Sequence, residues 1–229
     1  DNNRNRQSNA LADLRWVGDS GELALKASTD NQGIRLPGAR RVQPSTNTNL
    51  LETDRRGTAT PLDYAQRIGS QALVDWRQRV AFGEFIIGAG YREKQQNSYF
   101  DFSGFPDYRE IDLNVRSFTP RLRVATPVFG RDNTLVAGID HYRWDYQLRK
   151  SNSTANIARP INRVAAAQEN SAFYVHDTLR VTAATTLAAG YRSERFRINA
   201  TDVYDAGAPG GGFGSGAPAD SQSKTVYAY

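Results

Sequence analysis

The stretch Ala172–Arg197 (AFYVHDTLRVTAATTLAAGYRSERFR) constrains this chain more than any other. Two runs, each close to the ~9–11 residues that a tilted strand needs to cross a bilayer, meet at a short turn near Ala183–Thr185. On the first run Phe173, Val175, Leu179 and Val181 share one parity, and Tyr174, His176, Thr178 and Arg180 share the other. On the second, Leu187, Ala189 and Tyr191 alternate with Ala188, Gly190 and Arg192. Period-two alternation marks a strand with one apolar and one polar face. A single hairpin of this kind also suits a soluble sheet, whose strands commonly run ~5–6 residues.

The pattern recurs three more times. Arg116–Thr126 sets Phe118, Pro120, Leu122 and Val124 against Arg121 and Arg123. After a turn at Phe129–Asn133, Leu135, Ala137 and Ile139 oppose Gly138, Asp140, Tyr142 and Trp144. Ala72, Val74 and Trp76 oppose Gln71, Asp75 and Arg77, and the turn Ala81–Glu84 leads into Phe85, Ile87, Ala89 and Tyr91. The first copy places Ala12, Leu14 and Trp16, then Leu23, Leu25 and Ala27, on one parity around the turn Gly18–Gly21. The returning strands even rhyme, as Ala89-Gly90-Tyr91-Arg92, Ala137-Gly138-Ile139-Asp140 and Ala189-Gly190-Tyr191-Arg192. This is a repeated hairpin array.

Connections inside hairpins are short and those between them are long: Asp30–Ala65, Asn97–Val115, Ser151–Gln168 and the Gly/Pro/Ala-rich Asp205–Ser223. Loops of ~20 residues count against a soluble domain. Short periplasmic turns alternating with long extracellular loops are what an outer-membrane barrel requires. Aromatics near the ends of apolar-parity runs (Trp16, Tyr91, Phe118, Phe173) suit an interfacial girdle. The competing reading is ordinary packing against a second sheet. The expected fold is therefore all-β, an antiparallel up-and-down transmembrane barrel segment of about eight strands, with the start of a ninth at Lys224–Tyr229.

A mean hydropathy of −0.62 does not oppose this, because a barrel shows lipid only alternate residues. No apolar run approaches the ~20 residues of a membrane helix. Cysteine is absent, which removes disulfides and thiol chemistry. The net charge of +5 is carried by arginine far more than lysine, which occurs only at Lys26, Lys94, Lys150 and Lys224. Ion pairing with interspersed acids inside a polar lumen accounts for it, and scattering along strands argues against nucleic acid.

With the repeats placed, several strings become familiar. Ile34–Arg40 (IRLPGAR), Thr53–Tyr64 (TDRRGTATPLDY), Leu135–Tyr146 (LVAGIDHYRWDY) and Phe173–Thr178 (FYVHDT, with His176 where glutamine is usual) resemble the barrel region of TonB-dependent outer-membrane receptors. The resemblance spans nearly the whole chain, through the order of hairpins and loops more than any one string. It implies a 22-stranded barrel closed by an N-terminal plug, importing a scarce nutrient, commonly a ferric siderophore, with energy from the TonB complex. Neither a plug, a TonB box nor the terminal barrel strand is visible in residues 1–229. The chain is expected to be an interior slice of the barrel domain, in the outer membrane of a Gram-negative bacterium, with lipid, lipopolysaccharide, its own plug and a metal chelate as partners.

Catalysis finds little support, and no enzyme, cofactor or metal site is expected. His141 and His176 are the only histidines, and His176 and Asp177 point to opposite faces as strand neighbours. Binding candidates lie in the loops and at the lumenal rim: Arg35, Arg40, Arg55 and Arg56 in the first long loop, and Tyr99, Phe100, Phe102, Phe105 and Tyr108 in the second. Arginine and aromatic side chains suit an anionic, partly aromatic chelate. The alternative is pairing with Glu52, Asp54, Asp63 and Asp107, or contact with lipopolysaccharide phosphates. Lumenal Arg92, Asp140, Tyr142, Trp144 and Arg192 are the candidates for contact with a plug. The rival functions are a passive porin without a plug and a soluble β-sandwich or adhesin.

Overall fold

Alternating side chains of this kind draw the chain into a single curved sheet. A computed structural model describes residues 2–101, 104–213 and 220–228. The strands are β1 (Asn5–Val17), β2 (Gly21–Arg35), the short β3 (Val42–Gln43) and β4 (Thr48–Asn49), β5 (Tyr64–Val80), β6 (Gly83–Asp101), β7 (Pro106–Ala125), β8 (Asn133–Ser151), β9 (Asn162–Arg180), β10 (Thr186–Tyr204) and β11 (Asp220–Ala228). Nine of them form one sheet in the order β1-β2-β5-β6-β7-β8-β9-β10-β11, each antiparallel to its neighbours. The sheet is open, with β1 and β11 as its edges among the described residues. β3 and β4 make a separate two-stranded ribbon within the first long connection, beside a single helical turn, α1 (Leu50–Thr53).

Exposure reveals which face is convex. On β2, Leu25, Ala27, Thr29 and Asn31 are exposed, while Ala24 is buried and Lys26, Ser28 and Asp30 are partly covered. On β5 the exposed parity is Ile68, Ser70, Ala72 and Val74. Curvature crowds side chains on the concave side and spreads them on the other. The convex parity is the apolar one beside the short turns: Leu14, Leu25, Val74, Ala89 and Phe118 stand in one cross-strand row. Asp177 interrupts the band near its turn-side edge, where its carboxylate accepts a hydrogen bond from Asn133 Nδ2 at 2.9 Å.

The band does not follow the ladder. That row continues through His141 and Ser171 to Arg195 on β10, six residues from the apolar centre Ala189. A drift of six residues at ~3.4 Å, across the seven spacings of ~4.8 Å between β1 and β10, means that a level band has strands inclined by about 30°. Transmembrane barrels incline theirs by ~35–45°.

β6 to β10 each hold 19 or 20 residues, far longer than the apolar runs within them. Beyond the band the convex parity turns polar, for example Arg116, Asn114, Asp112 and Glu110 on β7, and pairing continues because backbone N–H and C=O groups need partners at any polarity. The expected long loop Asn97–Val115 is accordingly mostly strand. Asp101 pairs with Pro106, leaving a connection of residues 102–105. The ninth strand likewise begins at Asp220 rather than Lys224. Pro120 leaves a mark of its own: the β7–β8 ladder skips Thr119 and Pro120, where proline has no N–H to donate. The β7–β8 turn closes on Phe129 and Gly130, both at positive φ, the backbone of the turn that matches strand twist in hairpins.

The first long connection, residues 36–63, is pinned from the N-terminus, where Asn2 Nδ2 donates to the carbonyls of Leu36, Thr60 and Asp63 at 2.8–3.0 Å. A second pin joins the β8–β9 connection to the chain leaving β10: Arg159 donates to Asp205 at 3.0 Å. That guanidinium, and then the Gly207 N–H, hold the Asp205 carboxyl below its ordinary value near 3.8. A depressed carboxylate stabilises its pin at all pH above the ordinary value, and the contribution disappears as pH falls through the lower native one. Protection of the amides across residues 152–161 and 205–208, measured against their intrinsic exchange rates at each pH, should therefore fall below about pH 4. Asp205→Asn should show the lowered protection already at neutral pH.

Candidate functional site

Polar chemistry collects on the concave wall, where alternate residues of every long strand converge. Ion pairs tie it together: Arg15–Glu22 at 3.3 Å, Arg67–Asp30 at 3.0 Å, and Arg192 with both Asp140 at 2.8 Å and Glu194 at 3.3 Å. The ion pairing expected from composition is thus present on the concave face.

The richest cluster spans β8 to β10. Asp140 and Glu194 both pair with Ala172 on β9, and this buried small residue leaves the space that Arg192 crosses. On its way the Arg192 guanidinium lies 5.7 Å from the centre of the Tyr174 ring. Tyr142 and Trp144, two apart on β8 and hence on one face, stack with centroids 5.5 Å apart. Asn170 donates to Glu194 at 3.4 Å and accepts from Gln168 at 3.1 Å. Asp140, Tyr142, Trp144, Asn170, Ala172, Arg192 and Glu194 line a shallow concavity of about 190 Å³. An aromatic step beside one cation and two carboxylates is built for a polar, hydrogen-bonding surface.

A second concavity of about 230 Å³ lies on β2, β5 and β6, with Arg67, Arg92 and Lys94 around Asp30 and Gln71. Its cations outnumber its concave-face acid, the reverse of the first cluster. Of the lumenal residues singled out in the sequence, Asp140, Tyr142, Trp144 and Arg192 therefore come together. Arg92 faces the same interior from the other cluster. Tyr174, Asn170 and Glu194 were not among the candidates, although strand parity and hairpin pairing place Tyr174 opposite Arg192.

The loop candidates divide. Arg35, Tyr64, Tyr99 and Tyr108 form one cross-strand row on the convex parity, far above the apolar band. Arg35 lies 5.3 Å over the Tyr64 ring, and Tyr64 stacks on Tyr99 with centroids 6.5 Å apart. Tyr108 is buried and donates to Glu110, itself paired with Arg149 at 2.6 Å. Phe100 takes the concave parity beside Asp107, which is held by Arg109 at 2.7 Å and Lys150 at 3.2 Å. Arg40 is tied to Asp54 at 2.5 Å. Arg55, Arg56 and Phe105 are exposed at the loops, and Phe102 lies outside the described residues. His141 and His176 occupy opposite faces, and no group of His, Asp or Glu among the described residues is arranged to hold a metal.

No protein-family model and no curated protein matches the chain. Solved structures do. The ferric citrate transporter FecA, in its unliganded form, superposes with a TM-score of 0.72 at 11% identity, over 99% of this chain and 33% of its own. The ferric-catecholate import receptor Fiu of E. coli K12, open form, gives 0.70 at 12% identity, over 97% of this chain and 43% of its own. The ferric yersiniabactin uptake receptor FyuA of Yersinia pestis gives 0.65 at 12% identity, over 98% and 34%. The chain thus has the fold of the barrel region of TonB-dependent outer-membrane receptors, and spans between a third and a half of their length.

Proposed function

We propose that the chain is part of the barrel of an outer-membrane receptor that takes up a ferric siderophore or another metal chelate, driven by TonB. The observation that carries this reading is the pairing of two surfaces on one sheet: an apolar convex band and a charged concave wall. A barrel that only anchored itself in lipid needs the first surface alone. The second, with Asp140, Arg192, Glu194 and the Tyr142–Trp144 step on one side and Arg67, Arg92 and Lys94 on the other, suits docking of a folded plug through hydrogen bonds. Arg55 and Arg56, exposed at the far end, would meet an anionic chelate from outside, with the exposed Phe105 offering an aromatic surface nearby in the second long connection. The fold shared with import receptors for ferric citrate and ferric catecholates supports the same class of cargo.

The test is uptake of radiolabelled ferric chelates by the native bacterium with the gene intact or deleted. Uptake of at least one chelate should vanish on deletion and on dissipating the inner-membrane proton gradient. Uptake unchanged by deletion for every ferric chelate offered, with the purified protein conducting small solutes passively in planar bilayers, would instead mark a porin.

A further inference from the structure

The short-turn end of the concave wall carries positive charge that its neighbours do not answer. Near the turns, the concave parity of β5 to β7 holds Arg77 and Arg79, then Glu84 and Ile86, then Arg121 and Arg123. The ladder sets Arg79, Glu84 and Arg123 in one row and Arg77, Ile86 and Arg121 in the next. Two residues along a strand and two strand spacings across it put the four arginines at the corners of a patch ~7 by ~10 Å. All four are exposed, and none makes an ion pair among the described residues. Of the nearby acids, Glu84 stands between Arg79 and Arg123, and Asp75 lies further in along β5. Glu22, opposite Arg77, is already held by Arg15 at 3.3 Å. Arg79, Glu84 and Arg123 also edge a concavity of about 370 Å³ whose remaining lining is mostly apolar, with Val80, Ala81, Phe82 and Ala125. Phe82 stands 57% exposed at its lip. The convex face at the same end is different: β5 to β10 carry Gln78, Phe85, Val124, Asn133, Leu179 and Leu187 there, without a cation.

We infer that this inner rim of β5 to β7 binds the peptide stems of the cell-wall polymer, through their free carboxylates and small apolar side chains. The short turns of an outer-membrane barrel face the periplasm, the compartment that holds that polymer. Guanidinium forks take carboxylates in paired, charge-assisted hydrogen bonds. Four of them around Glu84 leave a positive surface wide enough for two acid groups of one short peptide. Val80, Ala81, Phe82 and Ala125 suit the methyl-sized side chains between those acids. The phosphate of a membrane lipid is another anion at this level of the envelope. It lies against the convex face, where the cations are missing. The inference rests on the outer-membrane placement and not on the identity of any cargo.

The test sediments the complete barrel protein, purified in detergent, with Gram-negative peptidoglycan sacculi and with the same sacculi after amidation of their carboxylates. Intact sacculi should bind with a Kd roughly tenfold below the amidated ones. Arg79→Gln combined with Arg123→Gln should remove that preference, and Arg79→Lys with Arg123→Lys should keep part of it. Arg116→Gln combined with Arg143→Gln, at the opposite end of the strands, removes the same charge and should leave the preference unchanged. If the rim double variant does not fold, Arg123→Gln alone serves, since Arg123 has no ion pair to abandon. Equal binding of the two sacculi, or an unaltered preference in the rim glutamine variant, overturns the inference. So does an equal loss in the far-end variant, which would mark attraction by net charge alone. A barrel that folds in phospholipid vesicles and ignores sacculi loses this inference and keeps its membrane placement. One that binds sacculi but imports no chelate loses only the uptake reading.

Discussion

Replacing Val74 with arginine is expected to lower the stability of the membrane-inserted barrel by about 2–4 kcal/mol. Gln71→Arg, three residues away, is expected to cost less than about 1 kcal/mol. Val74 stands at the centre of the apolar run on β5, with Leu25 and Ala89 beside it across the ladder. A guanidinium there is surrounded by hydrocarbon and is far from either border. Gln71 occupies the other parity, opposite Ser28 and Arg92, where a cation meets water and at worst a like charge. Urea titrations of the complete barrel protein refolded into phospholipid vesicles measure both. Equal costs at the two sites would contradict the facing of every strand.

The second large effect falls on the concave wall. Gly138→Ala is expected to destabilise by about 1–3 kcal/mol, whereas Gly33→Ala should stay within about 0.5 kcal/mol of the parent. A methyl group at 138 would sit 2.5 Å from the Tyr174 hydroxyl and 2.9 Å from Arg121 Cβ, and the second of these cannot swing aside. At Gly33 nothing lies within 4 Å. Moving Tyr174 also removes the ring under Arg192, so the Arg192–Asp140 pair should loosen in the same variant. That is visible as faster exchange of the amides that flank Asp140.

The same glycines show how much was legible beforehand. The rhyme of Gly90, Gly138 and Gly190 was plain in the sequence, but its cause was not. A Cβ at each would press on a large neighbour from the adjoining strand: Leu73 for Gly90, Tyr174 for Gly138, His176 for Gly190. Those neighbours depend on register between strands, which local alternation leaves open. Parity is local, so it was readable, and it placed Asp140, Tyr142, Trp144 and Arg192 on one face. The length of the strands was not readable, because beyond the band both parities are polar. Gln96-Asn97-Ser98 and Asp107-Tyr108-Arg109 look like loop in composition, yet they pair across β6 and β7. The outward facing of Arg35, Tyr99 and Tyr108 was hidden for the same reason, since with no apolar parity beside them nothing marked which side was which.

The chain has no cysteine, so single-cysteine variants can be spin-labelled one at a time along β8 of the barrel protein in lipid vesicles. Relaxation by lipid-soluble oxygen and by a water-soluble nickel chelate then reports what each side chain touches. Oxygen should dominate at Leu135, Ala137 and Ile139, with the chelate dominating at Thr134, Val136 and Asp140 on the other parity. At Arg143 and Gln147, on the outward parity above the band, the chelate should dominate again. A profile in which oxygen and chelate fail to alternate from 135 to 140, or alternate in the opposite phase, would contradict the account.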